Sequence, residues 1–201
     1  DKEVLNKKLP EKTIYEYIVD NNKNYPNRVA LNYFGRKITY GEMINNIDQT
    51  ARAFRAYGVK EGDIVTVSMP TVPETIYIYY ALSKIGAVAN MVDPRTSKDG
   101  IENYINEAAS KMLIIIDVAA DKAKDVKKKT TVEKIVTVSP TDSLPLGIIL
   151  KKASKDINSM YEDKKEEANN KGTKEPKKKN IILDYFKDMK KNESKFAKSG
   201  E

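Results

Sequence analysis

The sequence predicts an α/β fold, with a doubly wound and mainly parallel sheet, flanking helices and a small N-terminal hairpin. The first observation is a pair of short apolar segments, residues 64–69 and 87–92, that enclose a segment with helical signals. Pro73 opens this segment and Gly86 closes it, as is usual for a helix. The second observation is that strand and helix patterns keep alternating up to residue 138. Strands joined by crossover helices pair in parallel, so the alternation predicts a sheet covered on both faces.

The first helix is predicted to begin at residue 14. Thr13 and Glu16 form a capping box, in which the threonine hydroxyl accepts from the third backbone N–H and the glutamate reaches back to the cap. The helix should end near Asn24, because Pro26 disfavours helical backbone in the residue before it. Its predicted apolar face consists of Ile14, Tyr17 and Ile18.

A hairpin and a second helix are predicted next. Residues 28–34 and 37–40 have strand patterns on either side of a tight turn at Gly35. Thr39 and Glu42 form a second capping box. The apolar residues of the helix that it starts recur at intervals of three or four, which places them on one face against the sheet. They are Met43, Ile47, Ala51 and Phe54.

The rest of the sheet is predicted from residues after 94. We expect a helix over 97–110, a strand over 112–116, a shorter helix over 119–128 and a strand over 134–138. The buried face of the longer helix is predicted to be Ile101, Tyr104, Ile105 and Ala108. Four strands with three intervening helices complete the doubly wound sheet.

The domain organisation is predicted from the decay of this pattern. Residues 1–139 should form an N-terminal α/β subdomain, and residues 140–201 a lysine-rich extension that is partly helical. Glycine, proline and lysine without apolar residues are typical of a linker. Within the extension we therefore predict a proline-punctuated loop over 141–150, an exposed helix over 151–169, a linker near 170–179 and a last helix over 180–189.

The composition excludes several classes of chemistry. The chain has no cysteine and no histidine. Disulfides, thiol catalysis and Ser-His triads are therefore excluded, and the usual zinc ligands are missing. No apolar run approaches the roughly 20 residues of a membrane-spanning helix, and the first residues are charged. We therefore expect no membrane span and a cytoplasmic location.

The net charge of +7 comes from the C-terminal part of the chain. Residues 1–117 carry equal numbers of basic and acidic side chains, and the lysines of residues 118–201 are interspersed with acids. The sequence has no Arg-rich patch and no RNP-like or helix-turn-helix signature. A solvated lysine-rich surface explains the charge better than a nucleic-acid partner, which is the alternative.

Candidate site residues lie in the turns after the strands, where ligands bind in open α/β sheets. These turns lack the glycine-rich patterns of phosphate-binding loops, and we expect no catalytic and no metal-binding residue in the chain. We predict that three residues lie at the edge of a substrate pocket: Thr71, Asp93 and Arg95. The segment from Asp93 to Thr96 could bind an anion, or it could be a loop that caps the next helix.

Four short motifs resemble the N-terminal signatures of one family. They are TYGEM at residues 39–43, GVKEGDIV at 58–65, MPTVPE at 69–74 and ALSKIGAV at 81–88. Their order and spacing are similar to those of the adenylate-forming acyl-CoA synthetases, the AMP-binding ligases that include luciferases and the adenylation domains of peptide synthetases. The resemblance extends from residue 13 to residue 138. Each motif alone is common to many proteins, whereas four in register indicate this family.

The resemblance implies a two-step ligase that activates a carboxylic acid with MgATP to an acyl-adenylate and then transfers the acyl group to coenzyme A. The family's phosphate loop, adenine-binding segment, ribose-binding aspartate and catalytic lysine have no counterpart in this sequence. We therefore expect an N-terminal portion of such an enzyme that is not catalytic alone and holds no cofactor. ATP, Mg²⁺, CoA and a small-molecule carboxylic acid of undefined chain length are implied for the full-length parent, and the remainder of the same ligase chain is the implied partner.

Two alternatives stay open beside this expectation. Many relatives have Asn-Pro or Val-Pro followed by a further proline where this chain has NMVDP at residues 90–94, so the acid substrate is not defined. The chain could also be a non-catalytic binding or interaction module derived from the family.

Overall fold

The computed structural model describes residues 11–140 and 143–181, and the chain divides into two compact units, residues 1–143 and 144–201. The first unit contains, in chain order, α1 (Ile14–Asn22), β1 (Val29–Tyr33), β2 (Arg36–Thr39), α2 (Tyr40–Ala56), β3 (Ile64–Ser68), α3 (Pro73–Ile85), β4 (Val88–Met91), α4 (Lys98–Ala108), β5 (Met112–Ile116), a 3₁₀ helix (Asp117–Ala123), α5 (Val126–Lys129) and β6 (Lys134–Val138). The second unit contains α6 (Leu146–Asn170).

Local sequence signals set the ends of several helices. Both predicted capping boxes form, at Thr13 and at Thr39, with backbone hydrogen bonds to their side chains of 3.1 and 3.2 Å. Pro73 is the first residue of α3, and Gly86 ends that helix with φ of 84°. A Cβ at position 86 would also lie 2.9 Å from Cγ of Glu61, so glycine is needed for both conformation and space.

Four strands form a parallel sheet in the order β4-β3-β5-β6, which confirms the predicted architecture. Val65 of β3 is level with Ala89 of β4 and with Met112 of β5. The chain moves from β3 to β4 on one side and then to β5 on the other, so the direction of winding reverses between β3 and β5. The predicted N-terminal hairpin is the separate antiparallel pair β1-β2.

Alternate residues of the strands supply two cores on opposite faces of the sheet. Val65, Val67 and Ile114 pack with the buried faces of α2 and α3, including all four residues predicted for α2. Leu113 and Ile115 point to the other face and pack with α4 and α5. Fully burying such a side chain contributes roughly 1.5–3 kcal/mol. Apolar residues on both faces explain why β5 is an uninterrupted apolar run.

Helix α1 packs through a different face from the predicted one. Tyr15 and Ile18 pack against the first core, whereas Ile14 and Tyr17 are 51% and 54% exposed. The backbone N–H of Tyr15 donates to Oγ of Ser83 at 3.2 Å, which turns the Tyr15 side of the helix toward α3. The helix ends at Asn22, two residues before the predicted end near residue 24.

Helix α4 confirms Ile101 and Ile105 as buried and shows that the prediction for Tyr104 was wrong, since this side chain is 50% exposed. Ala108 is half-buried. Glu102 occupies the buried position instead, and its carboxylate lies 3.4 Å from Nζ of Lys129. A neighbouring lysine can therefore stabilise a glutamate in a buried position, although apolar periodicity alone assigns that glutamate to solvent.

The helix predicted over residues 119–128 is replaced by two shorter pieces. A 3₁₀ helix covers Asp117–Ala123, and the four-residue α5 follows it. Asp125 lies between them with φ of 64°, which interrupts the helical backbone. Val126 is fully buried in the second core directly after this break. Packing of that side chain therefore outweighs the continuity of the helix.

The second unit contains the predicted exposed helix, but α6 begins at Leu146, inside the predicted loop of residues 141–150. Residues 173–177 have no regular structure, and Glu175 there accepts from the Tyr161 hydroxyl at 2.7 Å. Residues 178–181 are helical, and the rest of the helix predicted over 180–189 lies outside the described residues. In the described part of the chain, no helix combines the length and apolarity that crossing a membrane requires.

Candidate functional site

The carboxyl ends of β3 and β5, where the winding reverses, define the crevice in which ligands bind in open α/β sheets. Thr71 lies exposed in the loop between β3 and α3. In this loop the N–H of Val72 and the hydroxyl of Thr75 both donate to the carbonyl of Pro70, at 2.9 and 2.6 Å. Pro73 has no N–H to offer. The start of α3 therefore has few backbone donors for a phosphate group.

Asp93 and Arg95 lie after the adjacent strand β4 and bind each other. The Arg95 guanidinium donates from Nε to Oδ1 of Asp93 at 3.0 Å and from its terminal nitrogen to Oδ2 at 2.6 Å. The backbone N–H of Arg95 adds a bond of 2.8 Å to Oδ1. The guanidinium, followed by that N–H, lowers the pKa of Asp93 to about 2. Both side chains are exposed, and their charges are neutralised within the pair.

The loop after β4 is held by residues other than the predicted ones. Ser97 caps α4, because its Oγ accepts from the N–H of Gly100 at 3.2 Å. Lys122 of the 3₁₀ helix donates from Nζ to the carbonyls of Pro94 and Thr96, both at 2.8 Å. These contacts support the loop-and-cap alternative more than the anion-binding one.

The structure thus joins Asp93 to Arg95 and places Thr71 in the loop after the neighbouring strand. Sequence reasoning missed Lys122, because it stands among other lysines and acids with nothing to distinguish it. It also assigned no role to Glu74. Its position, one residue after the proline that opens α3, was the available signal.

Glu74 lies at a cavity of about 170 Å³ on the face of the sheet covered by α2 and α3. Both of its carboxylate oxygens are inaccessible to solvent and have no hydrogen-bond partner within the described residues. The other residues that line the cavity are Thr50, Phe54, Tyr77, Ile78, Ile114, Val136 and Val138. The lining is mainly apolar, and Glu74 is the acidic residue among these eight.

The amino ends of the strands, opposite the crevice, carry a structural ion pair. Asp63 accepts from the N–H of Lys60 at 2.9 Å and from Nζ of Lys111 at 2.7 Å, which makes it a turn residue. Within residues 11–140 and 143–181, no group of three or more potential metal ligands comes together.

The family model for the AMP-binding enzyme matches residues 18–185, which is most of the chain. The chain belongs to the AMP-binding enzyme family. It is 26% identical over 137 residues to a long-chain-fatty-acid–CoA ligase from Bacillus subtilis, with 68% of this chain and 24% of that protein covered. It is 33% identical over 123 residues to an acetyl-coenzyme A synthetase from Shewanella sediminis, with 61% and 19% covered. The chain thus spans a fifth to a quarter of the length of these relatives.

Solved structures of AMP-binding ligases share the fold of this chain. An anthranilate CoA ligase, AuaEII, superposes with a TM-score of 0.61 at 21% identity, over 67% of this chain and 27% of that one. The N-terminal domain of FACL13 from Mycobacterium tuberculosis gives 0.59 at 22% identity, over 63% and 34%. The chain corresponds to an N-terminal portion of this ligase architecture.

Proposed function

We propose that the chain is the N-terminal part of an AMP-forming acyl-CoA synthetase. The supporting observation is the match to the AMP-binding family over residues 18–185, together with relatives named long-chain-fatty-acid–CoA ligase and acetyl-coenzyme A synthetase. The whole enzyme would convert a carboxylic acid and ATP into an acyl-adenylate and pyrophosphate. It would then transfer the acyl group to the thiol of CoA and release AMP.

We propose that the remainder of the parent ligase supplies the groups that hold ATP and Mg²⁺. Adenylation needs donors and cations around the transferred phosphates. In the described part of this chain, the loop after β3 has few free donors, and Arg95 is already paired with Asp93. The residues present therefore do not fit a phosphate or Mg²⁺ site, and no step of the reaction is assigned to them.

Thr71, Asp93 and Arg95 are proposed to form an edge of the acid or CoA pocket. They follow the adjacent strands β3 and β4, beside the crevice at which the winding reverses. Since the charges of Asp93 and Arg95 cancel, this edge limits the shape of the pocket and offers no net charge to a substrate. In the parent, Thr71→Ala should change KM for acid or CoA with little change in kcat. An unchanged KM for both substrates would contradict this role.

The proposed activity is tested on the parent protein. Incubation with ATP, CoA and a panel of carboxylic acids, followed by mass spectrometry, should show acyl-CoA, AMP and pyrophosphate. Loading of an acyl-carrier protein without any acyl-CoA would overturn the proposal. We also propose a cytoplasmic location, which fractionation of cells would test.

The chain of 201 residues alone is proposed to be inactive. It should give no ATP–pyrophosphate exchange and no heat of ATP binding in calorimetry. Micromolar affinity for ATP in this chain would contradict the proposal, because it would require a phosphate site within these residues.

A further inference from the structure

Glu74 is a half-buried residue in the first turn of α3, and the described residues give its carboxylate no hydrogen-bond partner. Both oxygens are shielded from solvent and lack hydrogen-bond partners there. The hydroxyl of Thr50, on the cavity wall, donates to the carbonyl of Asn46 at 2.8 Å, so its proton is already used. A buried charge without a partner is strongly unfavourable, and natural proteins pair such groups.

The space beside Glu74 is large enough for an organic ligand. Its volume of about 170 Å³ is close to that of an engineered apolar cavity, about 150 Å³, that binds benzene. Phe54 and Tyr77 supply aromatic walls, and Ile78, Val136 and Val138 supply aliphatic ones. The charge of Glu74 also reaches the neighbouring hairpin. Burial raises the pKa of the Tyr33 phenol, and the Glu74 charge raises it further.

We propose that this cavity binds an organic cation, an ammonium or guanidinium group carried on a short apolar stem, with Glu74 as its counter-ion. The cationic head provides the donors that the carboxylate lacks, and the stem fills the apolar space. Aromatic rings on the wall add a further attraction for a cation. The proposal concerns Glu74 and its cavity and does not depend on the ligase reaction.

The test uses benzylammonium as the probe and benzyl alcohol as its neutral counterpart. Chemical shifts of the isotopically labelled chain are followed during titration, and intermolecular NOEs to Ile78 and Val136 locate the probe. We expect benzylammonium to bind about tenfold more tightly than benzyl alcohol, since a hydrogen bond to a charged group is worth at least that factor. Equal affinities of the two probes, or no binding of either, would overturn the proposal.

Two variants make the assignment specific. Glu74→Gln should abolish the preference for the cation, and Glu107→Gln should keep it, because Glu107 is exposed on α4 at the opposite face of the sheet. Circular dichroism checks that both variants are folded. If Glu74→Gln does not fold, Val138→Phe serves instead, because it fills the cavity and leaves the carboxylate in place. Retained selective binding in a folded Glu74→Gln or Val138→Phe variant would contradict the proposed site.

The source of the cation is distinguished by comparing this chain with the parent ligase. If a lysine or arginine of the remaining polypeptide fills the cavity, benzylammonium binds the chain and not the parent. If the natural ligand is a free amine, both the chain and the parent ligase bind benzylammonium. Both results support the cation site, and neither requires acyl-CoA formation, so failure of the ligase proposal is recognised separately.

Discussion

Two groups of charged side chains in the first unit have hydrogen bonds of similar length but differ in their exposure to solvent. Nζ of Lys84 donates to Oδ1 of Asp48 at 2.6 Å and to the hydroxyl of Tyr15 at 2.9 Å, and these side chains join α1, α2 and α3. Lys84 and Asp48 are 29% and 32% exposed. Arg95 in its pair with Asp93 is 89% exposed. Solvent screens the exposed pair, so this pair should stabilise the fold less than the first group does.

Lys84→Met is expected to lower the free energy of unfolding by about 1–2 kcal/mol, because it removes a charged donor from a half-buried aspartate and phenol. Urea denaturation of the purified chain measures the change. Lys23→Met is the control, since Lys23 pairs with Asp20 at 3.6 Å on the surface and is 62% exposed. The control should change stability by less than about 0.5 kcal/mol. Equal effects of the two substitutions would contradict the difference in burial.

The pH dependence of the Lys84 effect follows from two opposite shifts. Burial would raise the pKa of Asp48, but hydrogen bonds from Lys84 and Tyr15 outweigh it and hold this pKa below 3.8. Burial would lower the pKa of Lys84, but the hydrogen bonds to Asp48 and Tyr15 raise it above 10.5. The contribution of Asp48 is present above its unfolded pKa and lost as pH falls through the folded one. The contribution of Lys84 is present below its unfolded pKa and is lost as pH rises through the folded one. The decrease in the free energy of unfolding caused by Lys84→Met should therefore be constant between about pH 5 and pH 9.

Asp93 should titrate with a pKa of about 2, below its ordinary value of 3.8, because the Arg95 guanidinium binds its charged form. Arg95→Gln should return this pKa toward 3.8, and NMR of the labelled carboxyl carbon measures both values. The stabilisation linked to this group is present above the unfolded pKa and disappears as pH falls through the folded one. An unchanged pKa in Arg95→Gln would show that the guanidinium is not its cause.

Two helices end in the left-handed backbone region, with different residues at the turn. Gly86 ends α3 with φ of 84°, and Ala109 ends α4 with φ of 50°. Glycine adopts this conformation without the Cβ penalty that alanine has. The two ends of these helices therefore predict opposite effects of exchanging glycine and alanine.

Ala109→Gly is expected to raise the free energy of unfolding by about 0.5–1 kcal/mol, since it relieves a left-handed alanine at an exposed helix end. Gly86→Ala should lower it by more than about 1 kcal/mol, because a Cβ there also approaches Glu61. Urea denaturation compares both variants with the unsubstituted chain of 201 residues. Destabilisation by Ala109→Gly would contradict the assigned backbone conformation.

At the scale of elements, caps were predictable and packed faces were less so. The boxes at Thr13 and Thr39 and the Pro73–Gly86 helix depend on neighbours in sequence, so local patterns are sufficient for them. The face of α1, the exposure of Tyr104 and the break at Asp125 depend on what packs against each element. Periodicity identifies apolar positions but does not say which partner covers them.

The whole first unit should fold without the second. The sheet and both cores are built from residues 38–138, and the first compact unit ends at Ser143. A chain truncated after Ser143 should therefore keep one cooperative unfolding transition and the far-ultraviolet spectrum of an α/β fold. This is also the test of the proposed division into residues 1–139 and 140–201. Loss of cooperative unfolding on truncation would contradict it.

The candidate site was predictable only as a region. The turns after β3 and β4 were identified because ligands bind at the carboxyl ends of parallel strands. The neutralisation of Arg95 by Asp93, the support from Lys122 and the burial of Glu74 were not predictable. Each depends on side chains that come from different elements or adopt one of several rotamers.

The sequence by itself determined the strand and helix order, the helix caps and the family, because these are encoded in local patterns and in four motifs in register. Only the tertiary structure decided that the winding reverses between β3 and β5 and that a carboxylate faces an apolar cavity. Strand order and burial arise from contacts between residues far apart in the chain. The carboxylate of Glu74 lies at the start of α3, yet its environment is completed by β5 and β6, which come dozens of residues later.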